Sequence, residues 1–181
     1  MEWAEIQFEV MVSDADESFD AADTPAMIAA GIAIRKNKAT AEMLHDRTDN
    51  PVIISADTIV VLSNNIIGKP ADRNQAITTL EQLSGQRHEV ITAVCISDYL
   101  RQEVFTESTF VTFHDLTHEQ IVHYVDAYQP FDKAGAYAIQ EWIGVVGIKR
   151  IEGDFYNVMG LPVSRLIQHL NQHFLNIVEQ E

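Results

Sequence analysis

The sequence predicts an α/β domain over residues 1–181, with a mixed central sheet flanked by helices. Runs rich in β-branched residues alternate along the chain with helix-like runs that have their own capping residues. The length of 181 residues is usual for one domain, and a hydrophobic content of 46% is enough for a real core. The sequence shows no internal repeat and no low-complexity linker.

Composition and charge exclude several classes of protein. A net charge of -15 argues against the broad basic surface that binds a nucleic acid polymer. No apolar stretch approaches the roughly 20 residues of a membrane span, so we expect no membrane association. The single cysteine, Cys95, excludes an internal disulfide and fits a reducing compartment, which predicts a cytoplasmic location. Its apolar surroundings, residues 90–96, predict a buried core residue rather than a nucleophile.

The first part of the chain predicts a strand, an acidic loop and a long helix. Residues 5–12 alternate as expected of a strand. The acids within 13–20 indicate either a solvated loop or part of a metal site, since Mg²⁺ needs only one or two carboxylates. Thr24 and Pro25 mark a helix start, because a capping side chain precedes a proline in the first turn. Apolar residues continue this helix to about Arg47.

An apolar run over residues 52–62 is interrupted by one carboxylate, that of Asp57. An unpaired buried charge is costly, so Asp57 in a buried strand needs a partner. Turn residues at 63–65 predict that the chain reverses and brings Lys69 back towards Asp57. An acid and a lysine at the end of a buried hairpin suit an anionic ligand bound with a metal cation. The alternative is a satisfied structural acid followed by an ordinary turn.

The second half of the chain continues the alternation. A helix begins at Asp72 or Asn74 and ends at Ser84-Gly85, and a capping box at Thr117 opens another helix that ends near Tyr128. Further strands are predicted at residues 89–97, 104–113 and 145–151, and a last amphipathic helix has its apolar stripe over residues 166–178. That stripe suits the core or a dimer contact better than a membrane face.

Short motifs follow one another in a fixed order along the chain. They are Ser13 to Glu17, Lys38-Ala39, Ala56-Asp57-Thr58, Gly68-Lys69-Pro70, Leu83 to Thr92, Asp132 to Gln140, and Gly153 to Pro162. In this order and spacing they resemble the Maf family, the septum-formation-inhibitor-like nucleoside triphosphate pyrophosphatases. The resemblance implies a Maf/ITPase-like fold with two lobes around a nucleotide cleft, a nucleoside triphosphate substrate and a homodimer.

The resemblance also implies roles for individual residues. Asp57 matches the general base or activator of a metal-bound water, and Asp16 matches a second acid that helps to hold a divalent cation, Mg²⁺ or Mn²⁺. Lys38 and Lys69 match lysines that contact phosphate, and Lys133 is a further predicted substrate contact. Metal and lysines would stabilise charge on the phosphates while a carboxylate orients or deprotonates the water that attacks the α-phosphorus.

Two positions resemble those that select the base. Thr58 and Gln140 are similar to the residues of the branch acting on dTTP and UTP, rather than the branch acting on 7-methyl-GTP. A carboxamide can pair with both a donor and an acceptor on a pyrimidine edge. Glu141 departs from the family, which usually has glycine after the Ile-Gln pair. Its carboxylate either disturbs the base pocket or points outward.

A second departure concerns the start of the chain. Family members open with a strand and a Ser-x-Ser-Pro-Arg-Arg loop, whose backbone N–H groups and arginines hold the triphosphate. Nothing in this sequence matches that loop, so we expect the corresponding segment to be missing. Two functions therefore remain open: a pyrophosphatase acting on dTTP or UTP, or a catalytically weak or inactive nucleotide-binding or cell-division regulatory protein of the same fold.

Overall fold

The computed structural model describes residues 1–174 and has the predicted α/β class, a five-stranded antiparallel sheet flanked by helices. The strands are β1 (Ile53–Leu62), β2 (Asn65–Ile67), β3 (Arg87–Ser97), β4 (Gln102–Phe113) and β5 (Ile148–Glu152). The helices are α1 (Pro25–Met43), α2 (Arg73–Leu83), α3 (His118–Tyr128), α4 (Trp142–Gly147), α5 (Phe155–Val158) and α6 (Val163–His169), which continues into a π-helical turn, Leu170–Phe174. The order of strands in the sheet is β2-β1-β3-β4-β5.

Local sequence signals set the helix starts as predicted. The Thr24 side chain accepts the N–H of Met27 at the start of α1, and Asp72 caps α2 by accepting the N–H of Gln75. At the start of α3, Thr117 forms both hydrogen bonds of the predicted capping box. The end of α1 was predicted less well, because the helix stops at Met43 instead of near Arg47.

The central hairpin is confirmed. Ser63 and Asn64 have φ angles of 49° and 68°, the left-handed pair of a tight two-residue turn whose twist matches the flanking strands. Strands β1 and β2 pair antiparallel on either side of this turn, with Leu62 opposite Asn65 and Val60 opposite Ile67.

One strand prediction was wrong, and the strand predicted over residues 145–151 begins later than expected, as β5 (Ile148–Glu152). Residues 5–12 form no strand, because they pair with no strand of the described sheet, and Val10 and Val12 are 76% and 87% exposed. Residues 142–147, which include the first part of the predicted 145–151 strand, form α4. Here packing overrides β-propensity: Gly144 approaches the carbonyl of Ile139 too closely for any side chain to fit.

The chain folds into two compact units. The first comprises residues 1–57, 93–106 and, among the described residues, 161–174; the second comprises 58–92 and 107–160. The core of the first unit contains Val94, Ile96, Phe105, Leu166 and Leu170. The last helix therefore faces the core as predicted for its described part, whereas residues 175–178 of its predicted stripe lie outside the described residues. Cys95 is fully buried, also as predicted.

The second unit has its largest core between α2, α3 and the segment around Tyr137. The polar side chain of His88, which is 2% exposed, lies against this core. Its ring stacks on Phe113, and its Nε2 shares a 2.8 Å hydrogen bond with the hydroxyl of Tyr137. Burial lowers the pKa of His88 to about 4, so the ring is neutral near neutral pH. In the part of the chain that the structure describes, no helix combines the length and apolar character needed to cross a membrane.

Candidate active site

Asp57 has a cationic partner in the first unit, the Lys36 side chain of α1. The Nζ atom of Lys36 lies 2.7 Å from Asp57 Oδ1 and 2.8 Å from Glu17 Oε1. Only 12% of the Asp57 side chain and 26% of the Lys36 side chain are exposed. Burial disfavours the charged ammonium, but the hydrogen bonds to Asp57 and Glu17 outweigh it and raise the pKa of Lys36. These three side chains form the Glu17–Lys36–Asp57 cluster.

The packing of α1 on β1 positions this cluster. Asn37 is buried and donates to the carbonyls of Ile53 and Cys95 at 3.2 and 3.3 Å. Ser55 donates to the carbonyl of Ala33 at 2.7 Å. Side chains two residues apart on a strand share a face, so Asp57 points to the side of β1 on which Ser55 contacts α1. These contacts fix α1 at the position along β1 at which Lys36 reaches Asp57.

Lys38, the lysine expected from the family resemblance to contact phosphate, lies on another face of α1. Its side chain is 77% exposed, and its Nζ is 4.0 Å from Glu42. Two residues along an α-helix correspond to a rotation of about 200°. Lys36 and Lys38 therefore point in nearly opposite directions, and the structure places Lys36 beside Asp57. The role of Lys38 stays a prediction.

Sequence reasoning missed Lys36, although a signal was present. Ile28, Ile32 and Lys36 are spaced by four residues, so they lie on one face of a helix. Ile28 and Ile32 are buried. A lysine at the next position of a buried face needs an acidic partner, whereas Lys38 is off this stripe.

Asp16 lies in the acidic loop but bonds to a neighbour in that loop. Its carboxylate accepts the N–H of Ser18 at 2.8 Å and the Ser18 hydroxyl at 2.7 Å. Both hydrogen bonds lower the pKa of Asp16, the one from the Ser18 N–H more than the one from the Ser18 hydroxyl. Arg35 of α1 donates to the Asp16 carbonyl at 2.6 Å, which ties the loop to the helix. It is Glu17, the next residue, whose carboxylate reaches Lys36; the role of Asp16 as a metal ligand stays a prediction.

The cluster fits a divalent cation shared with a ligand better than a cation held by protein alone. Among residues 1–174, no three His, Cys, Asp or Glu side chains are arranged to hold a metal ion. Glu17 and Asp57 nevertheless supply two carboxylates that converge on one Nζ atom. Mg²⁺ is usually bound by one or two carboxylates together with substrate phosphates. Glu17 and Asp57 are thus the ligand type that such a cation takes, but the point at which their carboxylates converge is occupied by the Lys36 ammonium.

In the second unit, the structure brings Lys69 and Lys133 to one place. The N–H of Gly135 donates to the carbonyl of Gly68 at 3.2 Å, which joins the two motifs through their backbones. Lys133 Nζ lies 2.9 Å from Asp132 Oδ2. The hydrogen bond from Lys133 lowers the pKa of Asp132, and the charge of Lys69 adds a smaller effect in the same direction. These two predicted phosphate contacts are thus neighbours; the predicted return of Lys69 towards Asp57 stays a prediction.

Thr58 belongs to a buried hydrogen-bond network of the second unit. Its Oγ1 is 2.9 Å from Oγ1 of Thr92, and the Thr92 hydroxyl donates to the carbonyl of Asn157 at 2.9 Å. The Asn157 side chain donates in turn to Thr109 Oγ1 and the Val90 carbonyl, both at 3.0 Å. A threonine has one hydroxyl proton, so Thr58 must donate to Thr92. The lone pairs of Thr58 Oγ1 remain available to accept from a ligand.

Gln140 lies on an exposed turn of the second unit. The N–H of Glu141 donates to the carbonyl of Ala138 at 3.1 Å and closes the turn. Glu141 does not point outward, because its carboxylate accepts a hydrogen bond from the hydroxyl of Tyr124.

Comparison with known proteins gives consistent matches. The family model described as "Maf-like protein" matches residues 1–173. A protein of Porphyromonas gingivalis named "dTTP/UTP pyrophosphatase" is 50% identical over 122 residues, which are 67% of this chain and 61% of that protein. The chain thus spans less than two thirds of that relative.

Two longer matches have the same name. The protein of Christiangramia forsetii is 40% identical over 168 residues, covering 93% of this chain and 84% of that protein. The protein of Parabacteroides distasonis is 44% identical over 175 residues, covering 94% of this chain and 86% of that protein.

Proposed function

Since this chain belongs to the Maf family, we propose that it hydrolyses dTTP and UTP to the nucleoside monophosphate and pyrophosphate. The names of the relatives support this substrate class. The observation that carries the proposal is the Glu17–Lys36–Asp57 cluster, in which a mostly buried carboxylate is paired with an ammonium group. A single buried acid held in a fixed direction suits the activation of water.

In the proposed reaction, Asp57 orients a water molecule and accepts its proton. The water oxygen forms a bond to the α-phosphorus, the bond from that phosphorus to the bridging oxygen breaks, and pyrophosphate leaves with the electron pair. Lys36 pairs with Asp57 and fixes its direction, a role different from the phosphate contact that the resemblance gave to Lys38. Within the second unit, Lys69 and Lys133 are neighbouring positive charges of the kind that suits phosphate. A divalent cation held by Glu17 and Asp57 would neutralise phosphate charge and make the bound water more acidic.

The hydrogen-bond direction at Thr58 supports a preference for uracil and thymine. Because Thr58 donates to Thr92, its oxygen can accept a proton from a ligand. The ring nitrogen N3 of uracil and thymine has a hydrogen to donate, whereas N3 of cytosine is an acceptor. A base read at Thr58 is therefore accepted when it is uracil or thymine and opposed when it is cytosine. The carboxamide of Gln140 can pair with a neighbouring base edge.

The test is release of pyrophosphate from dTTP, UTP, CTP, ATP and GTP by the purified protein with Mg²⁺ or Mn²⁺. We expect release from dTTP and UTP, little from CTP, and loss of release after chelation by EDTA. Asp57→Asn should abolish turnover, and the control Asp46→Asn, the same change at a 91% exposed acid outside the family motifs, should leave it intact.

Two outcomes would contradict the proposal. An inert wild-type protein with an intact fold would rule out the enzymatic function and leave the nucleotide-binding or regulatory alternative. Turnover that survives Asp57→Asn would remove Asp57 from the mechanism. A homodimer, a cytoplasmic location and the role of Asp16 in metal binding stay predictions that this assay does not address.

A further inference from the structure

We propose that Glu141 and Tyr124 are positioning residues that fix the turn bearing Gln140 and thereby sharpen selection of the base. The inference rests on the proposed function and assigns a role to the carboxylate that departs from the family pattern. All the contacts involved lie within the second unit. We call the hydrogen-bonded set of Tyr124, Ala138 and Glu141 the turn bracket.

The bracket holds both corners of the turn through one atom. The Tyr124 hydroxyl donates to the carboxylate of Glu141 and accepts the N–H of Ala138 at 3.1 Å. The turn itself is closed by the N–H of Glu141, which donates to the carbonyl of Ala138. Gln140 is the exposed residue between these corners. The backbone conformation of Gln140 is therefore fixed by the hydrogen bonds of Tyr124, Ala138 and Glu141. The Gln140 side chain takes no part in these bonds.

Tyr124 is a rigid anchor for this purpose. Its side chain is fully buried, and its ring stacks on Tyr128 in the same helix. Burial, with the adjacent carboxylate of Glu141, raises the pKa of Tyr124, so the hydroxyl keeps its proton. A protonated phenol has one donor, which Glu141 uses, and it can still accept the amide N–H. A phenylalanine at this position would leave both partners unsatisfied.

The other side of the turn is supported by backbone alone. The N–H of Gly144 donates to the carbonyl of Glu141 at 2.9 Å. Ile139 is 4% exposed, and its carbonyl lies against the Cα of Gly144, where a side chain would clash. The turn is thus tied to α3 on one side and to α4 on the other. Gln140 is the most exposed residue of the turn.

A fixed turn matters because recognition through one carboxamide depends on direction. Holding a recognition group in place before binding lowers the entropy cost of binding and disfavours bases that would need another orientation. A glycine in place of Glu141 would remove one of the two bonds to Tyr124. We therefore infer that Glu141 compensates, through Tyr124, for flexibility that the turn would otherwise have.

The experiment compares steady-state hydrolysis of UTP and CTP by the wild type and four variants. Tyr124→Phe and Glu141→Ala break the bracket. Glu141→Gln keeps an oxygen that can accept from Tyr124, so it tests the hydrogen bond apart from the charge. Tyr128→Phe is the matched control, since it removes a hydroxyl from the neighbouring ring of the same helix.

If the bracket positions Gln140, Tyr124→Phe and Glu141→Ala should raise KM for UTP about tenfold, the effect of one lost buried hydrogen bond, with kcat nearly unchanged. The preference for UTP over CTP should fall in parallel. Glu141→Gln and Tyr128→Phe should stay close to the wild type. The double variant Tyr124→Phe/Glu141→Ala should be no worse than the poorer single variant, because both remove one interaction.

Unchanged KM and selectivity in Tyr124→Phe would overturn the inference, and so would equal effects of Glu141→Gln and Glu141→Ala. If the wild type is inert towards all nucleotides, the proposed function fails separately. UTP binding measured by calorimetry then decides the inference: weaker binding by Tyr124→Phe than by the wild type supports the bracket, and equal or absent binding refutes it.

Discussion

Replacing, one at a time, two lysines of α1 that are two residues apart gives the sharpest test of the candidate site. We predict that Lys36→Met destabilises and inactivates the protein, whereas Lys38→Met does neither. Both changes remove one positive charge from α1 and keep a side chain of similar length. They differ in surroundings, because Lys36 contacts two carboxylates and Lys38 is 77% exposed.

The exposure of the three side chains determines how much stability Lys36→Met should cost. Removing one partner of a fully buried ion pair costs about 3–5 kcal/mol. The Asp57 side chain is 12% exposed but that of Glu17 is 43% exposed, so solvent screens part of the lost interaction. We expect a loss of about 2 kcal/mol in the free energy of unfolding for Lys36→Met. In a chain of this size that corresponds to a decrease in Tm of roughly 4–8 °C. For Lys38→Met we expect a change within about 0.5 kcal/mol.

Two measurements on the same preparations check this prediction. Urea unfolding followed by circular dichroism gives the free energy of unfolding, and pyrophosphate release from UTP gives kcat/KM. Loss of the ammonium beside Asp57 should lower kcat/KM about 10²-fold at a temperature at which the variant is folded. The reasoning is refuted if Lys38→Met loses more activity than Lys36→Met, or if Lys36→Met is as stable and as active as the wild type.

Three further predictions concern the second unit. The pKa of His88 is lowered from about 6.5 in the unfolded chain to about 4 in the fold, so the unfolded state takes up the proton first as pH falls. Up to about 3 kcal/mol of unfolding free energy should therefore be lost between pH 6.5 and 4, and none above that range. In His88→Leu, the free energy of unfolding plotted against pH should be flatter over this range. Gly144→Ala should lower the free energy of unfolding by about 1–3 kcal/mol, because the added Cβ would meet the Ile139 carbonyl. Gly68→Ala is the control and should be nearly neutral, because no atom lies within 4 Å of its added Cβ. Thermal unfolding measures both. Thr92→Val should free the Thr58 hydroxyl to donate, which should reduce the ratio of UTP to CTP hydrolysis; an unchanged ratio would remove Thr58 from base reading.

Elements that depend on local chemistry could be predicted from the sequence. The capping side chains of Thr24, Asp72 and Thr117 begin α1, α2 and α3, and the turn at Ser63 and Asn64 forms the hairpin. These features depend on hydrogen bonds between residues a few positions apart, so the sequence contains the necessary information. The need of Asp57 for a partner could be predicted as well, because it follows from burial alone.

Features that depend on distant packing could not be predicted. Residues 5–12 have the pattern of a strand, yet a strand forms only where a neighbour offers backbone groups to pair with. Residues 142–147 form a helix in which Gly144 lies against the carbonyl of Ile139, a contact that the sequence pattern does not reveal. That Lys36 rather than Lys38 reaches Asp57 depends on which face of α1 packs on β1, and the family motif does not contain this information.

Because Cys95 is buried, the rate at which a thiol reagent labels it measures how often the protein opens around this residue. The side chain is fully buried, it lies within hydrogen-bond distance of the Gln102 amide at 3.2 Å, and burial raises the pKa of the thiol. A thiol reagent in solution therefore reacts with the native chain only when a local or global opening exposes this side chain. Because the sequence contains one cysteine, the rate of labelling counts these events at a single known position, without an engineered probe.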